Sequence, residues 1–438
     1  MMTKPFNGRR LNINIYLICL IFFFLNSKIL FSQSTPFQNF LKEAAVDIQD
    51  VTTKQNKIEQ FIEVDKEKLY RVSFTSIRID KKGKKSENKY KFNLTDIASH
   101  SVKWEAKKDL IEVNLKINGR QKMIQHFKNG ELQNYISQIK ILATDADNGR
   151  KIEELFKEII PVAIKKVVDP LAVLDLSNQK KWLMEKVTNV TVDGKNYKQS
   201  WEFQEEDQRK ILFTVNREER KKSSDKRFDF NLVDFNKEGV NMKIKGKKVF
   251  VELNTINKQK LIGVKKNEMV ENYSNRIQIY AEQPDFARDL VKVLQKFIPT
   301  INKESVDNWT PPNELTTQME WLTNRINISL NKYDQSFKIL EAPCKCQLLR
   351  TKNSGKKVNE KKWEFNLSNI DLERLQFKIE GKDVFVQINS MHKEKIIKSY
   401  KNGETSNYLN EVIILEENIE TARQLIKVMA AVIKNCNQ

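Results

Sequence analysis

The sequence predicts a mainly β protein with helices, of the α+β class, written as three tandem modules. Short runs of period-two alternation between turn residues recur along the chain, which is the antiparallel-strand signature. The stretch Tyr90-Lys91-Phe92-Asn93-Leu94 returns as Phe228-Asp229-Phe230-Asn231-Leu232 and as Trp363-Glu364-Phe365-Asn366-Leu367. The register is tight: Asn93 to Val113, Asn231 to Val251 and Asn366 to Val386 each span 20 residues. Ile124 to Ile139, Ile262 to Ile277 and Ile397 to Val412 each span 15.

The chain opens with an expected export signal, residues 1–33. Lys4, Arg9 and Arg10 form its positive region, and Ile15 to Leu25 its apolar run. That run is too short for a bilayer-spanning helix, which needs about 20 residues. The end is expected near Phe31-Ser32-Gln33, before Ser34, and resembles the Phe-Ser-Gln endings of some Gram-negative export signals. Cys19 lacks the small residues of a lipoprotein box before it. The mature chain is therefore expected to be soluble and exported: periplasmic, outer-membrane-associated or secreted.

The first module is set at residues 36–168. A short amphipathic helix from Pro36 to Ile48 leads it, with Phe37, Phe40, Leu41, Ala44, Ala45 and Ile48 at helical spacing. About seven strands follow, the clearest being Ile111, Val113, Leu115 and Ile117 in strict alternation. Asn129-Gly130 tolerates positive φ and supplies a hairpin turn. A helix closes the module on the stripe Ile152, Leu155, Phe156, Ile159, Ile160 and Ala163, with Pro161 expected to kink or end it. The second module, 178–303, and the third, 314–438, repeat this order. Their closing stripes are Leu290, Val293, Leu294, Phe297, Ile298 and Ile301, then Leu425, Met429, Val432, Ile433 and Cys436. Trp182-Leu183 and Trp321-Leu322 mark the later entry helices, where Phe40-Leu41 stands in the first.

This order resembles the pleckstrin-homology-like (PH-like) superfold, in which two orthogonal antiparallel sheets are closed by a C-terminal helix. The resemblance covers each repeat and is architectural, without a family motif. A helix-grip fold also ends in a long helix on a curved sheet, but it places two helices after its first strand, where this chain shows none.

The formal charge of +20 becomes +16 once Lys4, Arg9, Arg10 and Lys28 leave with the signal (20 − 4). Such a surplus favours anionic polymers or headgroups, although Lys is abundant throughout and acids are interspersed. The turns before the recurring motif are basic in every module. They contain Lys81, Lys82, Lys84 and Lys85; then Arg217, Arg220, Lys221 and Lys222; then Lys352, Lys356 and Lys357. The resemblance implies an anionic ligand at such loops, and three weak sites on one chain act together by avidity. The plainer reading is that these are solvated turns kept soluble by Lys. No aromatic residues interleave them as base-stacking platforms, and export argues against nucleic acid.

Three polar positions recur in all copies: the motif Asn; the pairs Asn134-Tyr135, Asn272-Tyr273 and Asn407-Tyr408; and Arg150, Arg288 and Arg423 of the closing helices. Repeats share structural determinants before they share sites, so a structural role is expected for them. After signal removal, the cysteines are Cys344, Cys346 and Cys436. One bridge is expected, from Cys436 to Cys344 or Cys346, as export permits. No His or fourth Cys has metal-ligand spacing, and no cofactor is implied. His100, His126 and His392 fall at unrelated positions, and no Gly-x-Ser-x-Gly elbow, phosphate-cradling Gly loop or His-Glu-x-x-His is present. The expectation is an exported, non-enzymatic binding or scaffold protein contacting envelope proteins or anionic glycolipid headgroups. The alternatives are a carrier of a lipid or small apolar ligand and, more remotely, a hydrolase.

Overall fold

Among the described residues, antiparallel strands are the commonest element, and six helices punctuate them. The computed structural model describes residues 36–437, apart from 167–170, 220–221, 267, 305–308, 342–343 and 356. The expected signal, 1–33, lies outside the described residues. Helix α1 (36–47) leads; α2 (Ala146–Lys166) and α3 (Leu176–Lys186) follow, then α4 (Pro284–Glu304), α5 (Leu315–Ile326) and α6 (Ile419–Cys436).

Between α1 and α2 the sequence forms nine strands rather than seven, because two strands are only two residues long. A six-stranded sheet runs in the spatial order Val51–Thr52, Asn56–Val64, Arg71–Asp80, Lys85–Asn93, Gln125–Lys128 and Glu131–Leu132. A three-stranded sheet holds Lys103–Lys107, Leu110–Lys116 and Gln138–Ala143. Nine strands with the same two orders recur between α3 and α4 and between α5 and α6. The chain thus leaves the first sheet for a hairpin and returns to it before the last strand.

The turn chemistry is local. In the hairpin Arg71–Asp80 to Lys85–Asn93, Asp80 Oδ1 accepts from the backbone N–H of Lys82 (2.8 Å) and Lys84 (2.9 Å). Gly83 sits there at φ +80°, a conformation open to glycine. Each closing helix buries the stripe read from the sequence, save that Cys436 of the third is half-buried; Ile152, Leu155, Phe156, Ile159, Ile160 and Ala163 all lie in the core. Burying six such side chains stabilises by on the order of 10 kcal/mol as an upper estimate. Helix α2 runs through Pro161 to Lys166, and α4 likewise runs through Pro299. Of the expected entry-helix pairs the buried members are Phe40, Leu183 and Leu322, and Phe37, Ala44, Met319 and Ile326 are buried on the same helices.

Gln60, Gln199 and Gln335 are buried on the second strand of their repeats. Each donates to the carbonyl where the entry segment meets the sheet: Gln49 (2.9 Å), Thr188 (3.1 Å) and Ile326 (3.1 Å). Gln60 and Gln335 also exchange bonds with the backbone of Leu142 and Leu415 on the last strand. One amide thereby replaces a strand partner that neither edge provides.

The described residues divide into two compact units. One holds the chain up to Leu174 with Met242–Phe250 and Tyr280–Arg288; the other holds Asp175–Asn241, Val251–Ile279 and the chain from Asp289. The first turn of α4 therefore belongs to the same unit as the first repeat. The first turn of α6 likewise belongs to the same unit as most of the second repeat.

Candidate functional site

The recurring Asn ends its strand instead of lying within it, and a single 3-10 turn follows. Asn231 Oδ1 accepts from Val233 N–H (3.1 Å) and Asn366 Oδ1 from Ser368 N–H (3.0 Å). Asn93 makes no such cap, and the copies differ at the amide nitrogen as well. Asn93 Nδ2 donates to Asp285 Oδ1 (2.6 Å), on the first turn of the second repeat's closing helix. Asn231 Nδ2 faces Glu420, on the first turn of the third repeat's closing helix, at 3.5 Å.

Around each of these contacts the charges interlock. Three residues after the Asn comes an aspartate, Asp96 or Asp234; opposite the Asn on the paired strand stands a base, Arg71 or Lys210. The incoming helix carries an acid and, three residues later, an arginine. In the first cluster Arg288 grips Asp96 with both amino groups (2.5 and 3.0 Å), and Asp285 bonds Arg71 and Arg288. In the second, Arg423 bonds both oxygens of Asp234 at 3.0 Å, and Glu420 lies 4.0 Å from Lys210 and 3.5 Å from Arg423. The Arg288–Asp96 contact is two-pronged, which adds geometry as well as energy, whereas Arg423 uses one amino group for both oxygens.

Burial sets the protonation energetics. Burial works to raise the Asp285 pKa, but the Arg71 hydrogen bond, the Arg288 and Arg71 charges and the Asn93 amide hold it below the usual carboxylate range. The socket aspartates move the other way. Burial pushes Asp234 up to about 6 against the pull of Arg423, and Asp96 also rises because burial outweighs Arg288.

The Asn-Tyr pair belongs to the same faces. Tyr135 is buried, and its N–H reaches Gly246 O (3.4 Å) in a turn of the second repeat. Tyr273 and Leu261 pack into the third repeat's core cluster, beside Ile419 of α6. Two clefts lie along these faces: one of about 600 Å³ is lined by Asp207, Lys210, Asn231, Glu420 and Arg423. A smaller one surrounds Arg71, Asn93, Asp96, Asp285 and Arg288. The recurrence of Asn and Arg was visible in the sequence; their pairing across repeats was not, since the partners are 192 and 189 residues apart.

The basic turns are placed as follows. Lys81, Lys82, Lys84 and Lys85 form one exposed tip. Arg217 is half-buried on the strand Lys210–Glu219, paired with Ser224, so it is not a turn residue. Lys352 is exposed on the strand Lys345–Ser354, its ammonium 5.6 Å from the Tyr333 ring. Arg220, Lys221 and Lys356 lie outside the described residues, as do the side chains of Lys222 and Lys357. The four lysines of the first repeat are thus the only members of the set gathered at one point among the described residues.

Cys436 is bonded to Cys344, with Cα atoms 6.0 Å apart, and ties α6 to the start of a strand. Cys346 is buried and free, its thiol pushed up to about 12 by burial. His126 stacks on Tyr90 (4.9 Å) and bonds Asn88 (2.9 Å). No group of three or more His, Cys, Asp or Glu suited to a metal occurs among the described residues, and no described helix is long and apolar enough to cross a membrane. No protein-family model matches the chain, and no curated protein sequence matches it.

Proposed function

We propose that the chain is an exported, non-enzymatic binding or scaffold protein built from three PH-like repeats, which meets anionic ligands through basic hairpin tips. The supporting observation is the partition of charge in the first repeat. Arg71, Asn93 and Asp96 at one end of the long hairpin are engaged by Asp285 and Arg288. At the other end four exposed lysines crowd five residues around Gly83. The nine paired positions between them set the two ends about 30 Å apart. The repeat thus holds its neighbour at one end and presents a cationic tip at the other, four lysines against the single acid Asp80. Two antiparallel sheets and a closing helix in each repeat support the PH-like reading, and the return of Gln125–Lys128 to the first sheet departs from a simple meander.

Co-sedimentation with phosphatidylglycerol-containing and with neutral phosphatidylcholine vesicles tests this. Binding to the anionic vesicles only, weakened by salt and by replacing Lys81, Lys82, Lys84 and Lys85 together with Gln, is the expected result. Equal binding to both vesicles, or none at low salt, overturns it.

A further inference from the structure

Each repeat carries a plug, the acid-x-x-Arg turn that opens its closing helix, and a socket around its Asn. The plugs of the second and third repeats fill the sockets of the first and second. That leaves one plug and one socket over. The plug is Asp147 and Arg150 on α2; these side chains are 83% and 57% exposed, against 17% and 29% for Asp285 and Arg288. Arg150 is already held in the pose its equivalent uses: it lies 5.5 Å from the Trp104 ring, as Arg423 lies 5.5 Å from Phe377. Gly149 beside it has no room for a Cβ, which would meet Ile111 at 2.9 Å and Trp104 at 3.4 Å.

The remaining socket is on the third repeat. Lys345 pairs with Asn366 as Lys210 pairs with Asn231, and both Lys345 and Asn366 are exposed. Tyr408 is 53% exposed where Tyr135 and Tyr273 are 2% and 8%, and Ile396 is exposed where Leu261 is buried. An apolar face that its two equivalents cover is thereby left open. One residue departs from the pattern: Asn369 stands where Asp96 and Asp234 provide the carboxylate.

We propose that the Asp147–Arg150 turn of one copy docks on the Lys345, Asn366, Asn369 and Tyr408 face of a second copy, by the contact that joins consecutive repeats. Asp147 comes to the Lys345 side as Glu420 comes to Lys210, while Arg150 meets a neutral Asn369 where Arg423 meets the Asp234 carboxylate. Asn369 offers Arg150 one neutral amide oxygen in place of a two-pronged carboxylate, so the contact is weaker than its internal equivalents. The interface is heterologous, with plug and socket on different repeats, and such contacts grow head to tail.

Sedimentation velocity over a concentration series of the full chain tests this with Asn369→Asp, an exposed substitution that restores the missing acid. The expected result is head-to-tail association about tenfold tighter than in the unsubstituted chain, because a charged partner replaces a neutral one. Adding Arg150→Ala to Asn369→Asp removes that gain and weakens association below that of the unsubstituted chain. An Asn369→Asp protein that associates no more tightly than the unsubstituted chain overturns the proposal. So does association that survives Arg150→Ala, since another surface would then be responsible.

Discussion

The turns that open α2 and α4 carry the same charges at the same spacing, yet one lies in solvent and the other is locked. Asp147 and Arg150 pair with each other on the surface, whereas Asp285 and Arg288 reach Arg71, Asn93 and Asp96. An exposed pair at i,i+3 contributes only a few tenths of a kcal/mol. The same two residues facing a buried aspartate become structural, because removing one partner strands a charge in a poorly solvated place. The difference lies in what faces the turn, not in the turn.

The largest effect separates the third closing helix from the others, since only α6 is stapled among the described residues. Cys436→Ser opens a loop with a sequence separation of 92 and should cost about 4 to 5 kcal/mol on the chain-entropy model. Urea unfolding of oxidised protein reads it, and a reductant should bring the unsubstituted chain to the same midpoint. Next comes Arg423→Ala, which leaves Asp234 buried without its guanidinium and should cost about 3 to 5 kcal/mol. Arg150→Ala, its surface equivalent, should change stability by less than about 0.5 kcal/mol. Equal losses in the two variants would remove the distinction drawn between occupied and open plugs.

Acid titration sharpens the same contrast. Asp234 has its folded pKa raised to about 6 from an ordinary 3.8, so the folded state binds the proton more tightly than the unfolded chain. Its stabilising contribution is therefore complete below about pH 4 and is lost as pH rises through 6, a change of about 3 kcal/mol. Asp234→Asn should abolish that slope in denaturation midpoints measured between pH 4 and 7. Smaller still, Asn93→Ala removes a hydrogen bond to a carboxylate and should cost about 1.5 to 3 kcal/mol. Asn366→Ala should cost about 1 kcal/mol, as it loses only the bonds from Ser368 N–H and Oγ–H in its own 3-10 turn.

Much of the fold is legible in the sequence alone. The stripe from Ile152 to Ala163 follows from helical period alone, and the strands from alternation with turn residues. The glutamines were not legible: Gln60, Gln199 and Gln335 drift against the motif Asn by one residue per repeat, through loops of unequal length. Arg217 was misplaced because a basic run beside a turn does not say where the strand ends. Pro161 and Pro299 did not end their helices, since five further residues follow each.

What the sequence determined by itself is therefore the repeat: its helix stripes, its alternating strands and the register set by Phe-Asn-Leu. These depend on near neighbours and on a periodicity that any copy shows alone. The tertiary structure decided what the repeated polar residues do. Asn93 and Asn366 are the same residue at the same strand end, yet one is buried against Asp285 and the other faces solvent. Local propensity cannot tell them apart, because the difference is the presence of another repeat's helix, and with it the loss of water around the charges.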